Sequence, residues 1–156
     1  MGVVRSSHID IYDNTCWNDD VSVTLPVPYN NVSPYQRGEV VLVAGADVRV
    51  VNNIFYGNAA ANMLYALNQN PVTWSVNSNI VWDYNILYAG QGAVPIGPHD
   101  LVLNPMFSPV GPGPNFHLIE GSPAVGSGTS LLVPPTDFEG KPRYPARIDR
   151  GAYYGW

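Results

Sequence analysis

The sequence predicts an all-β chain folded as a solenoid, in which short strands stack on one another instead of enclosing a single round core. Three observations predict it: a repeated strand-turn-strand unit, a very low content of charged residues, and a high content of glycine and proline. Ile9-Asp10-Ile11-Tyr12-Asp13-Asn14-Thr15-Cys16-Trp17 aligns with Val48-Arg49-Val50-Val51-Asn52-Asn53-Ile54-Phe55-Tyr56 and with Ile80-Val81-Trp82-Asp83-Tyr84-Asn85-Ile86-Leu87-Tyr88. Each copy has an apolar–x–apolar run, an asparagine in one column (Asn14, Asn53, Asn85), a second short run, and an aromatic residue in a final column (Trp17, Tyr56, Tyr88). A period of roughly 30–40 residues belongs to stacked architectures. Charged residues make up 12% of 156 residues, too few for the exposed faces of a helical bundle, while Gly and Pro number 15 each.

Taken in order, the first unit occupies residues 9–17. Its alternating apolar residues fit a half-buried strand, and Asn14 marks a turn because asparagine tolerates the left-handed backbone region. Stacked asparagines can also hydrogen-bond up the solenoid as amide ladders do, with strands about 4.8 Å apart. Residues 19–38, with Pro26, Pro28 and Pro34, read as an excursion from the stack. Val40-Val41-Leu42-Val43 reads as a strand, followed by a turn at Gly45-Ala46-Asp47 into the second unit. The stretch 59–67 fits a short helix or a strand. The surrounding Asn and Pro favour the strand. Beyond Gly90 the chain is rich in turns and holds no pattern for a long helix.

The C-terminal part carries Leu103-Asn104-Pro105-Met106-Phe107, then Phe116-His117-Leu118 and Gly121-Ser122-Pro123-Ala124-Val125-Gly126-Ser127-Gly128, then Asp137-Phe138-Glu139-Gly140-Lys141-Pro142-Arg143 and Asp149-Arg150-Gly151-Ala152-Tyr153. These motifs resemble the closing segment of the pectate-lyase-like superfamily of β-helix proteins, whose endings follow a GSPAIDAG, DxxGxxR and DIGAYE pattern. Val125-Gly126, Arg150 and Tyr154 depart from that pattern. The resemblance spans nearly the whole chain. It implies a right-handed parallel β-helix of about four coils over residues 1–120, closed by an irregular cap over 121–156, within one domain covering 1–156. It also implies a secreted or surface-located bacterial protein, although the N-terminus has no signal peptide, and a chain that looks like the last portion of a longer member or a minimal version of one.

Function is less legible. A formal net charge of −5 without a basic cluster disfavours nucleic acid as a partner. Residues 50–82 carry one formal charge-free stretch interrupted by many Asn, which excludes a membrane span. Cys16, alone, rules out an internal disulfide and reads as a buried small hydrophobe. His8, His99 and His117 are too scattered for a recognised metal site, and the Asn31-Val32-Ser33 sequon has meaning only in a eukaryotic secretory context.

If Ile9, Ile11, Val48, Val50, Ile80 and Trp82 face inward, then Asp10, Arg49 and Val81 form one outward column and Tyr12, Val51 and Asp83 the next. Asp10 and Arg49 then pair across neighbouring units, most simply as a surface ion pair. The resemblance gives a catalytic version in which Arg49 is a base or a uronate clamp and Asp10 and Asp83 hold calcium. Asp13, Asp19 and Asp20 form a second oxygen-rich candidate for calcium, the one cofactor the sequence admits. Asp137, Arg143 and Asp149 read as residues that tie down the cap. The many aromatics suit either a core or a sugar-binding face, with Tyr12, Tyr29 and Tyr35 as candidates for the latter. The leading expectation is a non-catalytic module that binds or helps process polysaccharide. The alternatives are a subunit that self-assembles through an uncapped N-terminal coil and, lower, a polysaccharide lyase.

Overall fold

A computed structural model of the chain describes residues 2–4, 7–17, 40–43, 45–57, 64–67, 78–90, 96–109, 111 and 114–155. Nine strands and no helix occur among them: β1 (Gly2–Val4), β2 (Ser7–Tyr12), β3 (Thr15–Trp17), β4 (Val40–Val43), β5 (Ala46–Val51), β6 (Ile54–Tyr56), β7 (Leu64–Leu67), β8 (Ser78–Asp83) and β9 (Ile86–Tyr88). The stretch 59–67, ambiguous in sequence, contributes the strand β7. All pairing between strands is parallel, in three sheets ordered β1-β4-β7, β2-β5-β8 and β3-β6-β9. Strands three elements apart therefore pair, and like positions of successive repeats lie side by side.

The register follows the columns of the sequence. Ile9 pairs with Val48 and Val48 with Ile80, Ile11 with Val50 and Val50 with Trp82, and Trp17 with Tyr56 and Tyr56 with Tyr88. Inward residues of two sheets meet in one cluster, where Ile11, Cys16, Val48, Val50, Phe55, Trp82 and Leu87 are buried and Ile9 and Ile80 pack at its margin. Each fully buried aliphatic or aromatic side chain there contributes about 1.5–3 kcal/mol. β-Branched residues recur because they fit the pleated surface between two like neighbours. A second cluster of Ile54, Ile86, Leu118 and Ala124 joins β6 and β9 to the C-terminal residues.

Two backbone kinks recur once per repeat. His8, Asp47 and Asn79 have φ of 59°, 52° and 49°, and Asp13, Asn52 and Tyr84 have 52°, 58° and 57°. The second set corrects a detail of the sequence reading, since the left-handed residue is the one before each ladder asparagine and not the asparagine itself. The physical reason is local: each asparagine amide turns back to donate to the carbonyl two residues earlier, on Tyr12, Val51 and Asp83, and so brackets the left-handed residue.

The asparagines form a directional ladder. Asn14 donates from its backbone N and Nδ2 to Asn53 Oδ1 at 3.0 and 3.1 Å, and Asn53 repeats both bonds to Asn85 Oδ1 at 3.0 Å each. Asn85 passes them on to Asp100 Oδ1, at 2.8 Å from N and 3.4 Å from Nδ2. Leu101, directly after Asp100, forms a parallel bridge with Ile86 and so extends the third sheet by a fourth rung.

The C-terminal residues run back along the stack as a strap and do not cover its last repeat alone. Arg150 Nη1 donates to Asn85 O, Gly151 N to Asn52 O, and Ala152 N to Thr15 Oγ1, so that consecutive residues touch consecutive repeats. Gly151 has φ 93°, and a Cβ there would lie 2.7 Å from Ile54 Cδ1 and 2.9 Å from Thr15 Oγ1. Only glycine lets the strap approach this closely. Val51, expected to face outward, is 1% exposed, because the strap is bonded to the adjoining Asn52 through Gly151 and Thr129.

Candidate functional site

Outward residues of β3, β6 and β9 build an aromatic face. Cys16, Phe55 and Leu87 point inward from these three-residue strands, and Trp17, Tyr56 and Tyr88, each directly after the inward residue, are only partly buried, while Ile54 and Ile86 before it are covered by the C-terminal residues. Trp17 stacks on Tyr56 with centroids 4.1 Å apart and planes at 21°, and Tyr56 meets Tyr88 edge-on at 5.0 Å. The returning chain adds Phe107 and Phe116, at 5.9 and 5.7 Å from Trp17. Phe107 is fixed by an antiparallel bridge to Leu118. Between the column and this returning segment lies a groove of about 460 Å³, whose walls include Trp17, Tyr56, Met106 and Phe107 and whose polar groups come from Asn104, Ser108 and Asn115. Its size lies within the range of about 300–1,000 Å³ of small-molecule sites, and an apolar lining with a few polar groups is their usual chemistry. The side chains of Asn104 and Asn115 accept the backbone N–H of Met106 and His117, which fixes the orientation of both amides.

A second, smaller depression of about 360 Å³ lies on the outer face of β2, β5 and β8, lined by His8, Asp10, Asp47, Arg49, Asn79 and Val81. Asp10 and Arg49 face each other in register and form a two-pronged pair, Nε to Oδ1 at 2.6 Å and Nη2 to Oδ2 at 2.7 Å. The hydrogen bonds that Arg49 donates to Asp10 raise its pKa above the ordinary guanidinium value, which holds it protonated. Asp47 receives Asn79 Nδ2 at 2.5 Å and lies 3.5 Å from His8 Nε2. Asp83 is not beside Asp10. It receives the His99 backbone N–H and ring at 2.8 and 2.7 Å and the Tyr84 N–H at 2.9 Å. Partial burial pushes its carboxyl up, but these bonds together outweigh it and hold the pKa below the usual carboxylate value.

The remaining sequence candidates fall in three places. Tyr12 is exposed at the end of β2, while Tyr29, Tyr35, Asp19 and Asp20 lie outside the described residues. Asp13 is buried and faces a guanidinium, Arg143 Nη1 at 3.8 Å, and among the described residues no cluster of three acids, histidines or cysteines forms around a common point. The cap trio is bonded mainly to backbone. Asp137 accepts from Glu139, Lys141 and Tyr154, Asp149 from Gly126 and Gly155, and Arg143 donates to Gly151 O at 2.7 Å. Burial raises the Asp137 pKa, and the three backbone donors lower it further than burial raises it.

Sequence reasoning missed Phe107, Asn104 and Asn115 as a wall of the groove, because nothing in their local pattern reveals where the chain returns. It also missed Asp100, for which a signal existed. Asp100 precedes Leu101 just as Asn53 precedes Ile54 and Asn85 precedes Ile86. No helix among the described residues is long and apolar enough to cross a membrane. Comparison of the chain with protein-family models, with curated proteins and with solved structures returns no match.

Proposed function

We propose that the chain is a non-catalytic right-handed parallel β-helix module of a secreted or surface protein, and that it binds polysaccharide in the groove over the aromatic column. The observation that carries this reading is the Trp17–Tyr56–Tyr88 column, facing outward beside a 460 Å³ groove with amide and hydroxyl groups. Flat rings suit the C–H faces of sugars, and fixed amides suit their hydroxyls. The β-helix assignment is supported by the three parallel sheets, each joining strands three elements apart, and by the ladder running between them. The three sequence candidates for lyase chemistry are already engaged, Arg49 and Asp10 with each other and Asp83 with His99, which favours binding over bond cleavage.

Titrating soluble oligosaccharides while following tryptophan fluorescence tests the reading. A saturable change lost in Trp17→Ala, with the circular dichroism spectrum retained, is the expected result. Silence across a broad panel overturns it.

One observation favours a second reading, association with a further copy. Among the described residues, β1, β2 and β3 lie at the same end of their sheets and each pairs on one side only. Such edges are templates for another strand.

A further inference from the structure

We infer that the aromatic groove takes a neutral polysaccharide chain and discriminates against a polyuronate. The inference rests on the glycan-binding reading above and narrows its ligand.

The first ground is the lining. Among the described residues, the lining offers aromatic and aliphatic groups such as Trp17, Tyr56 and Phe107 and the amide and hydroxyl groups of Asn104, Ser108 and Asn115, and no ionisable acid or base. A uronate carboxylate entering such a lining gives up hydration without meeting a counter-charge. Amide and hydroxyl groups, by contrast, match the alternating donors and acceptors of sugar hydroxyls.

The second ground is where the positive charge of the molecule is spent. All five lysines and arginines among the described residues are held away from the groove: Arg49 by Asp10, Lys141 by Glu139, Arg143 beside Asp13 and on Gly151 O, Arg147 beside Asp149 and over the Tyr154 ring, and Arg150 on Ser127 O and Asn85 O. The histidines each face an acid, His8 Asp47, His99 Asp83 and His117 Glu139 at 3.0 Å, and the His117 ring, which also meets the groove residue Asn115 at 2.6 Å, is the one nearest the groove. Swinging to a carboxylate in the groove would cost each of them one of these partners, an acid or, for Arg150, buried carbonyls. At long range, a formal net charge of −5 repels an anionic polymer and leaves a neutral one unaffected.

The direct test is calorimetric titration of the whole chain with cellohexaose, xylohexaose and mannohexaose on one side and hexagalacturonate, with and without calcium, on the other. At least one neutral hexasaccharide should bind at least tenfold more tightly than hexagalacturonate. Its affinity should stay level when salt is raised about tenfold, since no charge pairs across the interface. Asn104→Lys, which places a cation at the rim and removes one of the fixed amides, should lower the ratio of neutral to hexagalacturonate affinity at least threefold. Hexagalacturonate binding as tightly as the best neutral ligand, with the signal lost in Trp17→Ala, overturns the inference and leaves the glycan-binding reading standing. Binding of neither class overturns both.

Discussion

Asp13 is the residue whose environment most contradicts its chemistry. Its side chain is 3% exposed, neither carboxylate oxygen has a hydrogen-bond partner, and the nearest cation is Arg143 Nη1 at 3.8 Å. Burial pushes the carboxyl up, Arg143 pulls it down and Asp149 pushes it up again, leaving the pKa at about 7 against 3.8 for an unperturbed aspartate. The folded chain therefore holds a proton on Asp13 between about pH 4 and 7 where the unfolded chain has released it. This group's contribution to stability is constant below pH 4, falls as pH rises through that window and is constant again above it, a loss of a few kcal/mol. Asp13→Asn keeps a residue that tolerates the left-handed backbone and removes the titration. Thermal unfolding at pH 5 and pH 8 should show the variant close to the parent at pH 5 and more stable at pH 8. A variant less stable at pH 8 would mean that the ionised carboxylate facing Arg143 is worth more than its dehydration costs.

Among the elements, the ladder has a sense of direction that sets the consequences of substitution. The carbonyls of Asn53 and Asn85 each receive two donors from the rung before, and Asp100 ends the series because a carboxylate is acceptor on both sides. Its Oδ1 takes Asn85, and its Oδ2 takes Trp82 Nε1 at 2.7 Å and the N–H groups of Ile96 and Gly97 at 3.0 and 2.9 Å. Asp100→Asn turns an amide NH₂ toward donors, and Asn53→Asp turns a carboxylate toward the carbonyls of Ile11 and Val51 and Asn85 Oδ1. Each buried mismatch should cost about 2–4 kcal/mol, measured as a lowered urea midpoint with unchanged slope. A shift below about 0.5 kcal/mol for both would show that the ladder does not hold the repeats together. The columns were legible in sequence because like residues recur at like positions: Ile9, Val48 and Ile80 inside, the asparagines at the turn, Trp17, Tyr56 and Tyr88 outside. The strap was not, since its bonds join single backbone groups far apart in the chain, as Ala152 does with Thr15, and leave no period. Half of the groove was hidden for the same reason. Its column could be read, and its opposite wall depends on where residues 104–119 return.

At the scale of the whole molecule, the two ends of the stack are chemically different, and this decides how copies can associate. At one end β1, β2 and β3 each lack a partner on one side among the described residues, and no described group donates to Asn14 Oδ1. At the other, Asp100 is filled by donors, Leu101 occupies the edge of β9, and Arg150 lies across Asn85 O. Head-to-tail stacking would bring an open acceptor to a filled acceptor and would require the strap to be peeled away. An association through the open edge is thus edge to edge, related by a two-fold axis and closed. Light scattering over a concentration series should give a mass that rises from 17.0 kDa to no more than twice that value, with no filaments by negative-stain microscopy. Asn14→Asp, which adds a charge to the open rung, should hold the mass at the lower value at pH 8. Continued growth into filaments would show that the Asp100 end opens, and the strap would then have to be the element that moves.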